Sequence, residues 1–294
     1  MMIKPWFSIL GVVAGVVLLT IPAQAGFSIG GFSIGGSGGD VEGIDIGRIV
    51  SSGSKVFKGV SDEDELEIGH EAAAVLLGVA PLVKDRRIQK YVNRVGHWVA
   101  LQTERPDIAW RFGVLDTDAA NAFAAPGGYV FITRGLLMRM QSEAELAGVL
   151  AHECAHVLVK HHLKAVETNA QLDLAGALAG AAVDREDRFL LNRLSSGFQE
   201  IYARGLDKDD EYQADRMGVV IAARAGYDPY GLHAMLQTLA ATDPDDSALA
   251  FMFKTHPHPG DRLEELEGGY DHLDPHADQP SVERRFQQQV VTLH

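Results

Sequence analysis

Apolar positions recur at helical spacing over residues 63–80 and 84–103, which predicts two helices at the start of the folded region. Ser61, followed by Asp62-Glu63-Asp64-Glu65, reads as a capped acidic helix start that suits the helix dipole. Over residues 108–115 the period changes to two, and Trp110, Phe112 and Val114 share one face of a predicted strand. Residues 121–133, NAFAAPGGYVFIT, predict two short extended pieces joined at Pro126-Gly127-Gly128. Ser142 with Glu145 three residues on is a capping box that opens the next helix. Another helix is predicted over residues 207–225, stopping at Gly226, after which Asp228-Pro229 cap and start the next. The order is helices, a small antiparallel sheet, then helices: an α+β fold with a mostly helical body.

The two ends of the chain read differently. Residues 1–25 carry Lys4, an apolar run from Trp6 to Ile21 and the small-residue pattern Ala23-Gln24-Ala25, the layout of a cleaved signal peptide. The run has 16 residues, short of the roughly 20 that span a bilayer; a retained N-terminal anchor is the alternative. Residues 26–59 are a Gly-rich linker in which the pentad Gly26–Gly30 repeats at Gly31–Gly35, and such glycine density opposes packing into a core. The folded domain is expected over residues 60–265, with 266–294 a polar acidic tail. A formal charge of −14, from 26 Lys+Arg against 40 Asp+Glu, argues against a nucleic-acid partner, which needs a basic face to neutralise phosphates. One cysteine excludes a disulfide framework within the chain and a multi-cysteine metal site. Export to the periplasm of a two-membrane bacterium, in soluble or peripherally attached form, is the expectation.

Chemistry concentrates at residues 152–156, His-Glu-Cys-Ala-His, an HExxH motif in a helical stretch. At about 100° per residue the imidazoles of His152 and His156 lie roughly 40° apart, so they can bind one ion, and Glu153 falls beside them where it reaches a water. Leu150, Cys154, Val157 and His161 fall on the opposite side, which is the expected core side; Cys154 and His161 are read as structural and His162 as a cation near the helix end. Two histidines and a glutamate on a buried helix are costly unless a metal or hydrogen bonds satisfy them, and one zinc ion per chain is the expectation. Zinc needs a third protein ligand and an open position. Glu211 is the candidate, within Asp209-Asp210-Glu211-Tyr212-Gln213-Ala214-Asp215. Asp215 lies one turn further on the same helical face, so one of the two carboxylates can ligate while the other fixes a ligand histidine.

HExxH, then Glu-Tyr-Gln-Ala-Asp at 211–215, then Thr255-His256-Pro257, together with the Asn121–Gly128 segment and Gly226-Tyr227-Asp228-Pro229, resembles the gluzincin metallopeptidases that include HtpX, the CAAX prenyl endopeptidases and their soluble periplasmic relatives. The resemblance covers roughly residues 60–265. It implies a zincin-type domain with the sheet beside the HExxH helix, His152, His156 and Glu211 as zinc ligands, Glu153 as general base and Asp215 behind the ligands. It also implies that residues 121–133 present an edge strand to substrate, with Asn121, Ala122, Phe123, Gly128 and Tyr129 the candidate contacts. His256 is a candidate oxyanion donor that would alternatively occupy the open zinc position in a resting state; Arg262 is the weaker candidate donor.

The activity expected is hydrolysis of peptide bonds in unfolded or misassembled envelope proteins, with extended polypeptide as partner and an association with envelope assembly machinery. A non-catalytic chaperone on the same scaffold is the competing reading, and hydrolysis of a non-peptide substrate a third. His258, His272 and His276 are read as solvated. Gly176 and Gly180 are read as close helix packing within 174–183.

Overall fold

The computed structural model describes residues 61–166, 168, 202, 204–243, 245–268 and 278–293, with the backbone of three short strands nearer the N-terminus. The expected signal peptide, Gly176 and Gly180, and His272 and His276 lie outside the described residues. Within the Gly-rich segment, β1 (Phe27–Ile29) pairs antiparallel with β2 (Phe32–Ile34), and β3 (Ile44–Asp45) joins β2 in parallel. The repeated Phe-Ser-Ile triad thus supplies two short strands in a segment whose glycines predict a tether.

The main body begins with α1 (Asp62–Val79), capped by Ser61 and Asp64 in a reciprocal box, and α2 (Arg86–Ala100). A sheet follows, made of β4 (Arg111–Leu115), β5 (Ala122–Ala125) and β6 (Tyr129–Thr133). Its order is β4-β6-β5. β5 and β6 form an antiparallel hairpin, but β4 runs parallel to β6. The sheet is therefore mixed, not wholly antiparallel as its pattern suggests. Alternation identifies strands without ordering them. The informative feature is that every residue of β6 is buried, as a central strand requires, so the hairpin returns between β5 and β4. The hairpin turn needs Gly127 and Gly128 at φ 71° and 90°, where a side chain is strained.

A single turn, α3 (Arg134–Leu137), leads to α4 (Glu143–Val159), which carries the HExxH motif. All of α4 is buried, so the one-sided core expected from its helical wheel is replaced by burial on every face. α2, the sheet, α5 (Lys208–Arg224) and α6 (Gly231–Ala240) surround it. α6 begins two residues later than Asp228-Pro229 suggests: Asp228 accepts from the Tyr230 amide at 2.9 Å and organises the turn before the helix. α7 (Ala250–Thr255) and α8 (Pro259–Glu267) follow, and α8 packs on α6 and α5. The last helix, α9 (Glu283–Val290), lies in the segment whose polarity suggests a tail, yet it buries Phe286 and Val290 in the main core. Its Arg285 pairs with Glu143, the first residue of α4. Tyr91 and Tyr227 donate to the same buried carboxylate at 2.8 and 2.7 Å. A carboxylate is favoured at a helix N-terminus, and this one ties α2, α4, α9 and the loop after α5 together. No helix among the described residues is long and apolar enough to cross a membrane.

α4 and α5 cross closely at Gly218. A Cβ there would lie 2.9 Å from the backbone nitrogen of His152 and 3.0 Å from its Cα. Backbone cannot rotate away as a side chain does, so Gly218→Ala must part the two helices. The expected cost is about 1–3 kcal/mol, read as a lower denaturant midpoint with an unchanged slope. An unshifted midpoint would show that the crossing yields freely.

Candidate metal centre

α4 sets the rings of His152 and His156 one turn apart, with their Nε2 atoms 3.0 Å from each other. α5 brings Glu211 to the same point: its Oε2 is 3.6 Å from His152 Nε2 and its Oε1 is 3.5 Å from His156 Nε2. All three side chains are buried. Tetrahedral zinc with ordinary bond lengths separates its ligand atoms by about 3.3 Å, so these spacings suit one shared ion. Glu211 Oε2 is buried without a hydrogen-bond partner, an arrangement that costs free energy unless something else satisfies the atom. Two imidazole nitrogens and one carboxylate oxygen form a donor set suited to catalytic zinc with a position left open.

The rings are held from behind by two different devices. Asp215, one turn beyond Glu211 on α5, lies 2.8 Å from His152 Nδ1. Arg262 of α8 donates to both oxygens of Asp215, with Nε to Oδ2 at 2.8 Å. This engagement makes Arg262 a partner of Asp215. The second device was missed by the helical wheel. His161 lies with its Nδ1 2.9 Å from His156 Nδ1, and its Nε2 is 2.9 Å from Gln213 Oε1. α4 ends at Val159, and Lys160 takes the left-handed conformation at φ 60°. The chain turns there, and His161 swings beneath His156 instead of continuing onto the far face. If His156 Nε2 held a metal, its Nδ1–H would donate to His161 Nδ1 and the Nε2–H of His161 would donate to Gln213 Oε1.

His162 also departs from expectation. It is buried, and burial together with His161 pushes it down to about 3, so it is a neutral ring facing the cleft and not a cation on the helix dipole. Cys154 is fully buried in the core, and burial raises its thiol well above the usual range. His258 is exposed and caps α8 by accepting from the Gly260 amide at 3.1 Å.

Charge at the centre follows from burial and partners. Burial disfavours a cation on His152, but Asp215 outweighs it and lifts the imidazole to about 9; that proton must leave before both ring nitrogens can serve Asp215 and a metal. Burial, reinforced by His152, pushes His156 well below the usual range. Burial opposes ionisation of Glu211, yet the nearby imidazoles and Arg262 hold its carboxyl at about 2. Burial pushes Glu153 up to about 7.

Glu153 lines a cleft with His156, Glu211, His256 and residues 122–124 of β5. The His256 Nε2 is 3.9 Å from Glu211 Oε2, and its Nδ1 is 3.0 Å from Thr255 Oγ1. Asn121 is wholly buried. It donates to Thr255 Oγ1 at 3.3 Å and accepts from the Ala122 amide at 3.0 Å, so it joins β5 to the His256 turn. Ala122 and Phe123 line the cleft, whereas Gly128 and Tyr129 lie at the far end of the hairpin: Gly128 packs beside Ile108 and Tyr129 beside His70 of α1. The tight turn separates these two candidate contacts from the other three.

A sequence model of peptidase family M48 matches residues 85–269, more than half of the chain. The chain is 29% identical over 235 residues to the beta-barrel assembly-enhancing protease of Yersinia pestis, covering 77% of this chain and 48% of that protein. It is 31% identical over 229 residues to a putative beta-barrel assembly-enhancing protease of Vibrio cholerae, covering 74% and 45%. Against the mitochondrial metalloendopeptidase OMA1 of Schizosaccharomyces pombe it is 29% identical over 178 residues, covering 60% and 51%. The chain spans about half the length of the curated relatives it matches. With the HExxH helix, the Glu211 helix and the turn at His256 all inside the matched region, the chain belongs to peptidase family M48.

Proposed function

We propose that this protein is a zinc-dependent endopeptidase that hydrolyses peptide bonds of unfolded or misassembled envelope proteins. The observation that carries the reading is Glu153, a buried carboxylate beside the cluster of two histidines and Glu211 and facing the same cleft. His152, His156 and Glu211 would hold the ion. When bound, zinc lowers the pKa of a water to near 7 and polarises a carbonyl. Glu153 takes the proton of the attacking water and returns it to the leaving amine. Asp215, fixed by Arg262, and His161, fixed by Gln213, each hold one ligand ring in the tautomer that turns Nε2 to the ion.

Substrate enters as an extended strand. Ala122 and Ala124 point their backbone groups away from β6, because Asn121, two residues from Phe123, pairs with Thr133 of β6 through its own backbone, and strand groups alternate in direction. A polypeptide added to that edge is read by its backbone, which gives broad sequence tolerance. His256 is assigned to the oxyanion; occupation of zinc's open position in a resting state is the other role its location supports. An association with envelope assembly machinery accords with the names of the bacterial relatives, and export to the periplasm through a cleaved N-terminal peptide rests on the pattern of residues 1–25. An intact Glu153 favours an enzyme over a chaperone on the same scaffold.

Glu153→Gln is expected to keep zinc, by metal analysis of the purified protein, and to lower cleavage of unfolded casein by about 10²–10⁴-fold; cleavage at the parent rate would end the proposal. His161→Ala is expected to weaken zinc by about 10–100-fold in chelator competition, and an unchanged affinity would leave His161 with a packing role only. His256→Ala is expected to slow peptide turnover by about 10²–10³-fold. Faster turnover would assign the ring to guarding the zinc, and an unchanged rate would remove it from the mechanism.

A further inference from the structure

On the opposite face of β5 from the metal cluster lies a second cavity of about 260 Å³, walled by Val75 and Val79 of α1, Leu115 of β4, Phe123 of β5, and Tyr202 and Phe251. No charged side chain lines it. Three aromatic rings form one wall: Phe123 meets Tyr202 edge-on at 5.9 Å and Phe251 at 6.0 Å. Val79 at the rim is 82% exposed, and Leu77 and Leu82 nearby are also exposed. A cavity of about 150 Å³ lined by aliphatic and aromatic groups already accepts a benzene ring, so this one has room for a large side chain.

Its position relative to the cleft follows from strand geometry. Ala122 and Ala124 face the main core with α4, whereas Ala125, and Phe123 with it, face the smaller core under α1. Phe123 and Tyr202 line both the cleft and the cavity, so the two adjoin at the edge of β5 with these side chains between them. Tyr202 donates to the Ala124 carbonyl at 2.9 Å and so occupies one group of that edge. A strand laid beside β5 turns successive side chains to opposite faces. When one residue of such a strand turns toward the metal cluster, the residues on either side of it turn toward the cavity.

We propose that this cavity is an apolar subsite that receives a large aliphatic or aromatic side chain of the substrate polypeptide, next in sequence to the residue facing the metal cluster. The inference rests on the endopeptidase reading and narrows it: the preferred cleavage sites lie in hydrophobic, alternating segments, the pattern of strands that have failed to pair. Such selection is expected to be worth about 10–200-fold between a fitted and an undersized side chain.

The test is cleavage-site mapping by mass spectrometry on reduced, unfolded casein with the zinc-loaded full chain. The parent protein is expected to enrich Phe, Leu, Ile, Met or Tyr at one fixed position beside the scissile bond. Val75→Trp, which fills the cavity from a half-exposed helix position, is expected to lower the ratio of cleavage at large apolar residues to cleavage at alanine by at least about 10-fold. Val79→Glu, on the exposed rim, is expected to move the ratio in the same direction and does not depend on a packed site for folding. Cleavage without any fixed apolar position, or an enrichment that both variants leave intact, would overturn the subsite while leaving the peptidase standing. Absence of cleavage by the parent, or cleavage that survives Glu153→Gln, would instead overturn the activity on which it rests.

Discussion

The structure depends on one crossing. α4 and α5 pass so closely at Gly218 that the backbone of His152 leaves no room for a side chain. This contact sets where two histidines from one helix meet two carboxylates from the other. Burial then raises the stakes. Glu211 and Asp215 are each 1% exposed, and an uncompensated carboxylate at such a site is strongly destabilising. Asp215 is compensated within the protein, by Arg262 and His152. Glu211 is compensated only in part, since one of its oxygens has no hydrogen-bond partner. The two acids one turn apart therefore differ: one is saturated by the fold, and the other keeps an oxygen that the fold leaves without a hydrogen bond.

The same logic orders the second layer. His152 is backed by an acid with a fixed cation behind it, whereas His156 is backed by a neutral histidine and an amide. Both arrangements fix the tautomer, but only the first supplies negative charge. The imidazole beside Asp215 is pushed up and its neighbour down, so the two histidines are electrostatically unequal. The buried Glu143 does comparable work at the other end of α4, where two tyrosines and Arg285 hold the helix N-terminus against α2 and α9. The motif helix is thus pinned at both ends by polar groups and along its length by apolar ones.

Local chemistry made much of this legible in the sequence. The capping residues Ser61 and Ser142, the Pro126-Gly127-Gly128 turn and the i, i+4 spacings of His152–His156 and Glu211–Asp215 all act over a few residues, and the structure brings His152, His156 and Glu211 to one point with Asp215 behind His152. Features decided at a distance were not legible. The parallel pairing of β4 with β6 depends on which strand is buried on both faces, and alternation does not report that. A helical wheel places His161 on the wrong side because it assumes that the helix continues, whereas Lys160 leaves it in a left-handed turn. Lys160 adopts that turn while its ammonium reaches Glu65 of α1 at 2.6 Å, a partner 95 residues earlier in the chain that no local window contains. The polarity of residues 283–290 hid Phe286 and Val290, two apolar positions one turn apart that suffice to dock a short helix.

On the proposed reading, edge exposure is what opens this arrangement to an extended polypeptide and what limits it. A sheet with β6 in the middle must leave β5 at one side, and β5 is the strand that touches the cleft. An open edge attracts any unpaired strand, which is a hazard for most proteins and the required property for a protein that recognises polypeptide by its backbone. The hazard is managed by brevity and by occupation: β5 has four residues, the Asn121 side chain holds the Ala122 amide, and Tyr202 holds the Ala124 carbonyl. A visiting strand must displace at least one of these bonds, so backbone pairing alone gains little over the resting state. Side-chain burial has to supply the difference, and the aromatic wall at Phe123 lies where the alternation of that strand would deliver it.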